Sequence, residues 1–244
     1  MLTVGSLFSG IGGLDLGLER AGMTVRWQSE IDPYACKILK KHWPEVPNHG
    51  DIKQIDWRTV KPVDVICGGY PCQPFSLAGQ RKGSDDPRHL WPWVRTAISE
   101  LRPRYAVLEN VRGHLTLGGV QVIGELAEIG YDAEWRVVSA AGVGAPHKRE
   151  RIIIVAYPND SKLGYINKRG INTRTNVKRR KVFFTNSSSG CISGTDSNWL
   201  SESGVDRVAH GIPNRVDRLK GLGNAVVPQV AEYIGRLITT SLDA

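Results

Sequence analysis

The sequence predicts a doubly wound α/β domain: an open, mainly parallel sheet with helices on both faces and a small irregular basic segment added. Three observations carry this. Short strand-like runs at residues 3–8, 25–29, 63–66, 105–108 and 152–156 alternate with stretches of helical periodicity, the pattern of βα units. The first run passes directly into a glycine turn, Ser9-Gly10-Ile11-Gly12-Gly13, and then into a helix, an arrangement that brings backbone amides to a ligand at the helix N-terminus. Finally, 244 residues suffice to bury one sizeable core.

Taken in order, residues 3–8 form the first strand and leave Phe8 at its tip, where the ring either meets a heterocycle or joins the core. The helix after the glycine turn runs through Leu14, Leu16, Leu18 and Ala21. A strand at 25–29 ends at Glu30, twenty residues after Gly10, the separation at which an acid meets ribose hydroxyls in nucleotide-binding βαβ units. Glu30, Asp32 and Pro33 also suit the start of a helix at 34–42, and both roles are compatible. A dinucleotide fingerprint needs a third glycine where Asp15 stands, so an adenosine-containing cofactor without a pyrophosphate is expected. Asp51, after Gly50, either meets the adenine edge or caps a short turn at 52–57.

The run at 63–66 ends at Gly68 and Gly69 and delivers Cys72, between Pro71 and Pro74, to the carboxyl end of a buried strand. Open α/β sheets bind ligands at that edge, so the thiol is placed for chemistry. Residues 73–89 are polar, are broken by Gly79, Gly83 and Pro87, and are expected to act as a lid. A helix at 90–101 stops before Pro103, and the run 105–108 brings Glu109 and Asn110 to the same edge as Cys72. A helix at 120–129 and a strand at 134–139 follow. Arg149-Glu150-Arg151 then leads into 152–156, and period-two alternation puts the two arginines on one face and Glu150 on the other. Residues 157–210 are rich in Ser, Asn, Gly, Thr and basic residues. A last helix begins near Pro228, carries the apolar stripe Val230, Ile234, Leu237 and Ile238, and should pack back on the sheet.

The net charge of +8 has one source. Residues 161–195 hold eight basic residues and no acidic one, and taking those eight from 32 leaves 24 basic against 24 acidic elsewhere. Such a segment is the footprint of a phosphate-binding element. Four cysteines (Cys36, Cys67, Cys72, Cys191) lack the spacing of a disulfide framework or zinc site, so a reducing compartment and no metal are expected. The N-terminus lacks the basic start and cleavage pattern of a signal peptide, and no apolar run approaches a membrane span. A cytoplasmic monomer without membrane attachment is the expectation.

One crevice would then hold the glycine turn, Glu30, Cys72, the Glu109-Asn110 pair and two arginines. It suits a thiolate adding to an electron-poor ring carbon while a carboxylic acid bonds the ring. The motifs F-S-G-I-G-G-L-D-L-G-L, G-G-Y-P-C-Q-P-F-S, E-N-V, H-K-R-E-R and G-N-A-V-V-P stand in an order and spacing that resemble the cytosine carbon-5 DNA methyltransferases of bacterial or phage type. The resemblance covers residues 3–156 and again about 211 to the end. It implies a Rossmann-like S-adenosylmethionine-dependent methyltransferase sheet over residues 1–156, a short target-recognition region at 157–210, and a segment at 211–244 that returns to the catalytic domain.

By the same resemblance, Cys72 looks like the nucleophile, Glu109 the acid on the base, and Arg149 and Arg151 its companions. Phe8, Ser9, Gly10, Gly12, Gly13, Glu30, Ile31, Asp51 and Asn224 look like the S-adenosylmethionine site. Gln73, Ser76, Arg81, Lys82, Arg88, Lys178, Arg179, Arg180 and Lys181 are the expected contacts to double-stranded DNA, and a cognate restriction endonuclease is the expected partner. Three alternatives stay open at this point. A tRNA cytosine methyltransferase would be expected to carry a Cys-Phe-Thr element, which this chain lacks. The others are a catalytically silent DNA-binding relative and a nucleotide-dependent oxidoreductase.

Overall fold

Six strands build one sheet in the order β2-β1-β3-β4-β6-β5. The computed structural model describes residues 1–71, 90–115, 118–159 and 215–242. The strands are β1 (Thr3–Leu7), β2 (Thr24–Ser29), β3 (Val65–Gly68), β4 (Tyr105–Val111), β5 (Tyr131–Ser139) and β6 (Glu150–Pro158). The described helices are α1 (Gly13–Arg20), α2 (Pro33–His42), α3 (Trp91–Leu101), α4 (Gly119–Glu128), α5 (Arg215–Asn224) and α6 (Pro228–Leu242).

Strands β1 to β4 pair in parallel, as the βα alternation requires. The remainder corrects the parallel expectation: β6 runs antiparallel to β4, and β5 antiparallel to β6. The reason lies in the connection. Strands β5 and β6 are joined only by the short segment from Ala140 to Arg149, whose single 3₁₀ turn, Ala141–Val143, is too short for a crossover, so they form an antiparallel pair. The first residues of β6 therefore lie at the edge where the parallel strands end.

Alternation along the strands divides the core into two layers. Ile66, Ala106, Leu108, Ile152 and Ile154 pack with Trp91, Val94 and Ile98 of α3 and with Val122 and Leu126 of α4. Val65, Cys67, Val107, Ile153 and Val155 pack on the opposite face with Leu14 and Leu18 of α1 and Val230, Ile234 and Ile238 of α6. Helices thus cover both faces. Helices α1 and α6 approach closely because Gly17 has no side chain; a Cβ there would meet the Pro228 carbonyl oxygen at 2.3 Å and Ala231 Cβ at 2.4 Å.

Local boundaries follow local chemistry. Strand β1 stops at Leu7 rather than Phe8, because Phe8 adopts a left-handed backbone, φ 51°. Asp32 caps α2 by accepting from the amides of Tyr34 and Ala35, Pro33 takes the first helical position, and Lys40, Lys41 and His42 fill the last turn against the helix dipole. Strand β5 starts at Tyr131, three residues before the expected Glu134, where the buried Tyr131 hydroxyl donates to the Pro103 carbonyl at 2.7 Å. Helix α5 has no counterpart in the sequence reading, since Gly221 and Gly223 lower its intrinsic propensity. Among the described residues no helix is long and apolar enough to cross a membrane.

Candidate active site

The parallel strands end at one edge, and two elements bring chemistry there. Glu109 and Asn110 belong to β4 itself rather than following it, and they point to opposite faces. Glu109 lies on the α1/α6 side, 8% exposed, and its Oε1 meets Arg151 Nε at 2.8 Å. Register explains the pairing: Glu109 lies opposite Ile153 and Val111 opposite Arg151, so acid and guanidinium are diagonal neighbours on one face. Burial pushes the Glu109 carboxyl above the ordinary range, and the charges of Arg151 and then Arg149 only partly oppose this. A raised carboxyl pKa beside a guanidinium is the setting in which a carboxyl serves as a general acid.

The same carboxyl lies against the end of β3. A Cβ on Gly69 would stand 2.8 Å from Glu109 Oε2, so any other residue there would displace the carboxylate end. Asn110, on the other face, donates from Nδ2 to the Tyr70 carbonyl at 3.2 Å. The Tyr70 hydroxyl and His114 Nε2 are 2.7 Å apart, and burial lowers the His114 pKa to about 4, so the ring is neutral at pH 7. Tyr70 is thus held at its carbonyl and its hydroxyl, directly before Pro71. Cys72 itself lies outside the described residues, as do Gln73, Ser76, Arg81, Lys82, Arg88, Lys178, Arg179, Arg180 and Lys181.

The two arginines share a face but not a partner. Arg151 goes to Glu109, whereas Arg149 Nη2 donates to the carbonyls of Gly223 at 2.6 Å and Ala225 at 2.9 Å. Glu150, on the other face, pairs with Arg112 at 2.8 Å. Asn224 is the last residue of α5 and is exposed.

At the glycine turn, Glu30 Oε2 accepts from the Gly10 amide at 2.7 Å, and Oε1 accepts from the amides of Ile31 and Asp32, each at 2.8 Å. One carboxylate therefore ties the turn to the end of β2. The arrangement is wrong for a pyrophosphate, because the Gly10 amide is already taken and the anion that takes it would repel another. It fits a nucleoside: Oε2 keeps an acceptor site for a hydroxyl, and beside it Ile31 leaves 68% of its area in solvent. Gly12 and Gly13 start α1, Ser9 Oγ donates to the Ser6 carbonyl, and Phe8 is half-buried against the core. Asp51 Oδ1 caps the turn Ile52–Gln54 by accepting from Lys53 N at 3.0 Å.

Beneath the turn lies a carboxyl that the sequence reading treated only as a missing glycine. Asp15 is fully buried, accepting from Ser6 Oγ at 2.9 Å and Gln28 Nε2 at 2.8 Å. Burial raises its pKa from 3.8 to about 6 despite those bonds. Because the folded pKa is the higher one, the neutral acid's contribution is complete below the unfolded value and is lost as pH rises through the folded one. Asp15→Asn keeps the shape and removes the titration. Its stability relative to the wild type should be level below pH 4 and rise by up to about 3 kcal/mol by pH 7. Urea unfolding from pH 4 to 8 measures this; a pH-independent difference would contradict it.

Comparison with known proteins now decides the family. The model of the C-5 cytosine-specific DNA methylase family matches residues 2–197. The chain belongs to this family. It is 43% identical over 168 residues to the type II methyltransferase M.Eco47II of Escherichia coli, covering 65% of this chain and 40% of that protein. It is 34% identical over 159 residues to the type II methyltransferase M.HhaI of Haemophilus parahaemolyticus, covering 63% of this chain and 48% of that protein. The chain thus spans less than half the length of these two relatives. Among solved structures, DNMT2 of Spodoptera frugiperda superimposes with a TM-score of 0.57 at 26% identity, over 66% of this chain and 51% of that one.

Proposed function

We propose that the chain transfers a methyl group from S-adenosylmethionine to carbon 5 of cytosine in double-stranded DNA, through a covalent bond between Cys72 and the base. The observation that carries this is the buried Glu109, paired with Arg151 at 2.8 Å and lying against Gly69, three residues before Cys72. When bound, S-adenosylmethionine supplies an electrophilic methyl group on a sulfonium. Glu30, the Gly10 turn, Phe8, Ile31 and Asp51 would hold its adenosine.

Carbon 5 of cytosine is too weak a nucleophile to take that methyl unaided. Addition of the Cys72 thiolate to carbon 6, with a proton from Glu109 to ring nitrogen 3, makes carbon 5 an enamine carbon. Arg151 orients the Glu109 carboxyl and carries the compensating charge as the proton leaves. After methylation, solvent water takes the carbon-5 proton as the Cys72 thiolate is expelled from carbon 6, and the nitrogen-3 proton returns to Glu109; the aromatic ring is restored and the enzyme freed. Access to both ring faces requires the base to leave the stack, and the 73–89 segment would close over it.

In this reading residues 157–210, with Lys178, Arg179, Arg180 and Lys181, form the DNA-facing recognition region, and residues 211–244 return to the catalytic domain. The protein acts as a monomer, and a cognate restriction endonuclease is its partner, in keeping with the type II names of its relatives. The Glu30 carboxylate on the Gly10 amide disfavours a nicotinamide dinucleotide on electrostatic grounds. Bisulfite sequencing of plasmid DNA from cells making the protein tests the proposal. Protected cytosines within one short sequence are expected; uniform conversion, as in cells without the protein, would reject it.

A further inference from the structure

We infer that Arg149 is a positioning residue that locks the strap of residues 220–226 between the two halves of the site, rather than a contact to the target base. The inference rests on the function proposed above. Arg149 directly precedes β6 and Arg151 lies within it, yet only Arg151 makes an ion pair with Glu109. The Arg149 guanidinium sends one nitrogen to two carbonyls, Gly223 O and Ala225 O, at 2.6 and 2.9 Å. These carbonyls close the C-terminal end of α5, where unpaired acceptors and the helix dipole favour a cation. The arginine backbone is fixed as well, because its carbonyl accepts from Ala140 N at 3.0 Å.

The strap's other side reaches the cofactor end. A Cβ on Gly13 would meet the Val226 carbonyl oxygen at 2.4 Å, and one on Gly221 would lie 3.1 Å from Ile11 Cγ2, so the strap lies directly on the glycine turn. Lys220 Nζ donates to Asp32 Oδ2 at 2.7 Å, beside Glu30. Seven residues therefore touch the turn and Asp32 on one side and, through Arg149, the strand that carries Arg151 and faces Glu109 on the other. Ordering the turn around a ligand and ordering the edge around the catalytic acid become one event, and Arg149 is the link.

Arg149→Met removes the tether and Arg149→Lys keeps a cation able to donate to both carbonyls; Lys220→Met cuts the strap's exposed tie and tests it should the core variant not fold. The full chain is measured by calorimetry with S-adenosylmethionine, by single-turnover methylation of duplex DNA, and by hydrogen exchange of residues 220–227 without ligand. Arg149→Met should bind S-adenosylmethionine about tenfold more weakly, exchange faster in the strap, and methylate more slowly at unchanged DNA affinity. Arg149→Lys should recover most of both binding and protection, and Lys220→Met should show the same loss to a lesser degree. Wild-type affinity and exchange in both methionine variants, even with a slower reaction, would overturn the inference, as would a lysine variant no better than the methionine one. A wild type that neither binds S-adenosylmethionine nor methylates DNA would reject the proposed function and this inference with it.

Discussion

Cys72→Ser is expected to abolish methyl transfer while S-adenosylmethionine binding stays nearly unchanged. A free thiol near its ordinary pKa supplies a few per cent of an intrinsically strong nucleophile at pH 7, and a serine hydroxyl without a neighbouring base supplies essentially none. The two described cysteines cannot take over. Cys67 is fully buried in β3 and burial pushes its thiol far up; Cys36 is also raised, by partial burial and then by the Glu30 charge, and lies behind Glu30 rather than beside Glu109. Incorporation of labelled methyl into duplex DNA, with calorimetry on the same sample, measures both halves. Substantial turnover by the serine variant would remove the covalent step.

Glu109→Gln is expected to lower the single-turnover rate by about 10²- to 10⁴-fold. The amide oxygen can still accept from Arg151 Nε, so the variant loses the acid and keeps the contact. The wild-type rate should also fall as pH rises through the Glu109 pKa, since the protonated form donates and burial places that pKa above the ordinary range. The glutamine variant should lack this alkaline limb. A rate profile from pH 5 to 9 for both proteins decides the matter; an unchanged limb in the variant would assign the titration to another group.

Much of this site was legible from strand ends alone. The runs at 63–66 and 105–108 are apolar enough to be buried strands, and whatever follows a parallel strand arrives at one edge, which is where Gly69 after β3 meets the Glu109 carboxyl; the expected neighbour Cys72 lies outside the described residues. The arginines came to that edge for a reason the sequence conceals: strand direction depends on the connection, and only the antiparallel return of β6 puts its first residues there. The split between Arg149 and Arg151 was equally hidden. Alternation gives a shared face, but the partner of each guanidinium is decided by α5, an element whose glycines mask its helical pattern. Asp15 gave a weak signal, a charge at i+1 and i−3 to the buried Leu14 and Leu18, and the Tyr70–His114 pair gave none, since 44 residues separate its members.

Covalent trapping tests the central claim most directly. Duplex DNA carrying 5-fluorocytosine at the cytosine identified by bisulfite sequencing is incubated with protein and S-adenosylmethionine and run on a denaturing gel. Fluorine cannot leave as a proton does, so elimination of Cys72 is blocked after methylation. The wild type should form a protein–DNA adduct that survives denaturation and requires S-adenosylmethionine, and Cys72→Ser should form none. Wild-type methylation of ordinary duplex without any adduct on the fluorinated one, or an adduct that persists in Cys72→Ser, would contradict a covalent mechanism through this cysteine.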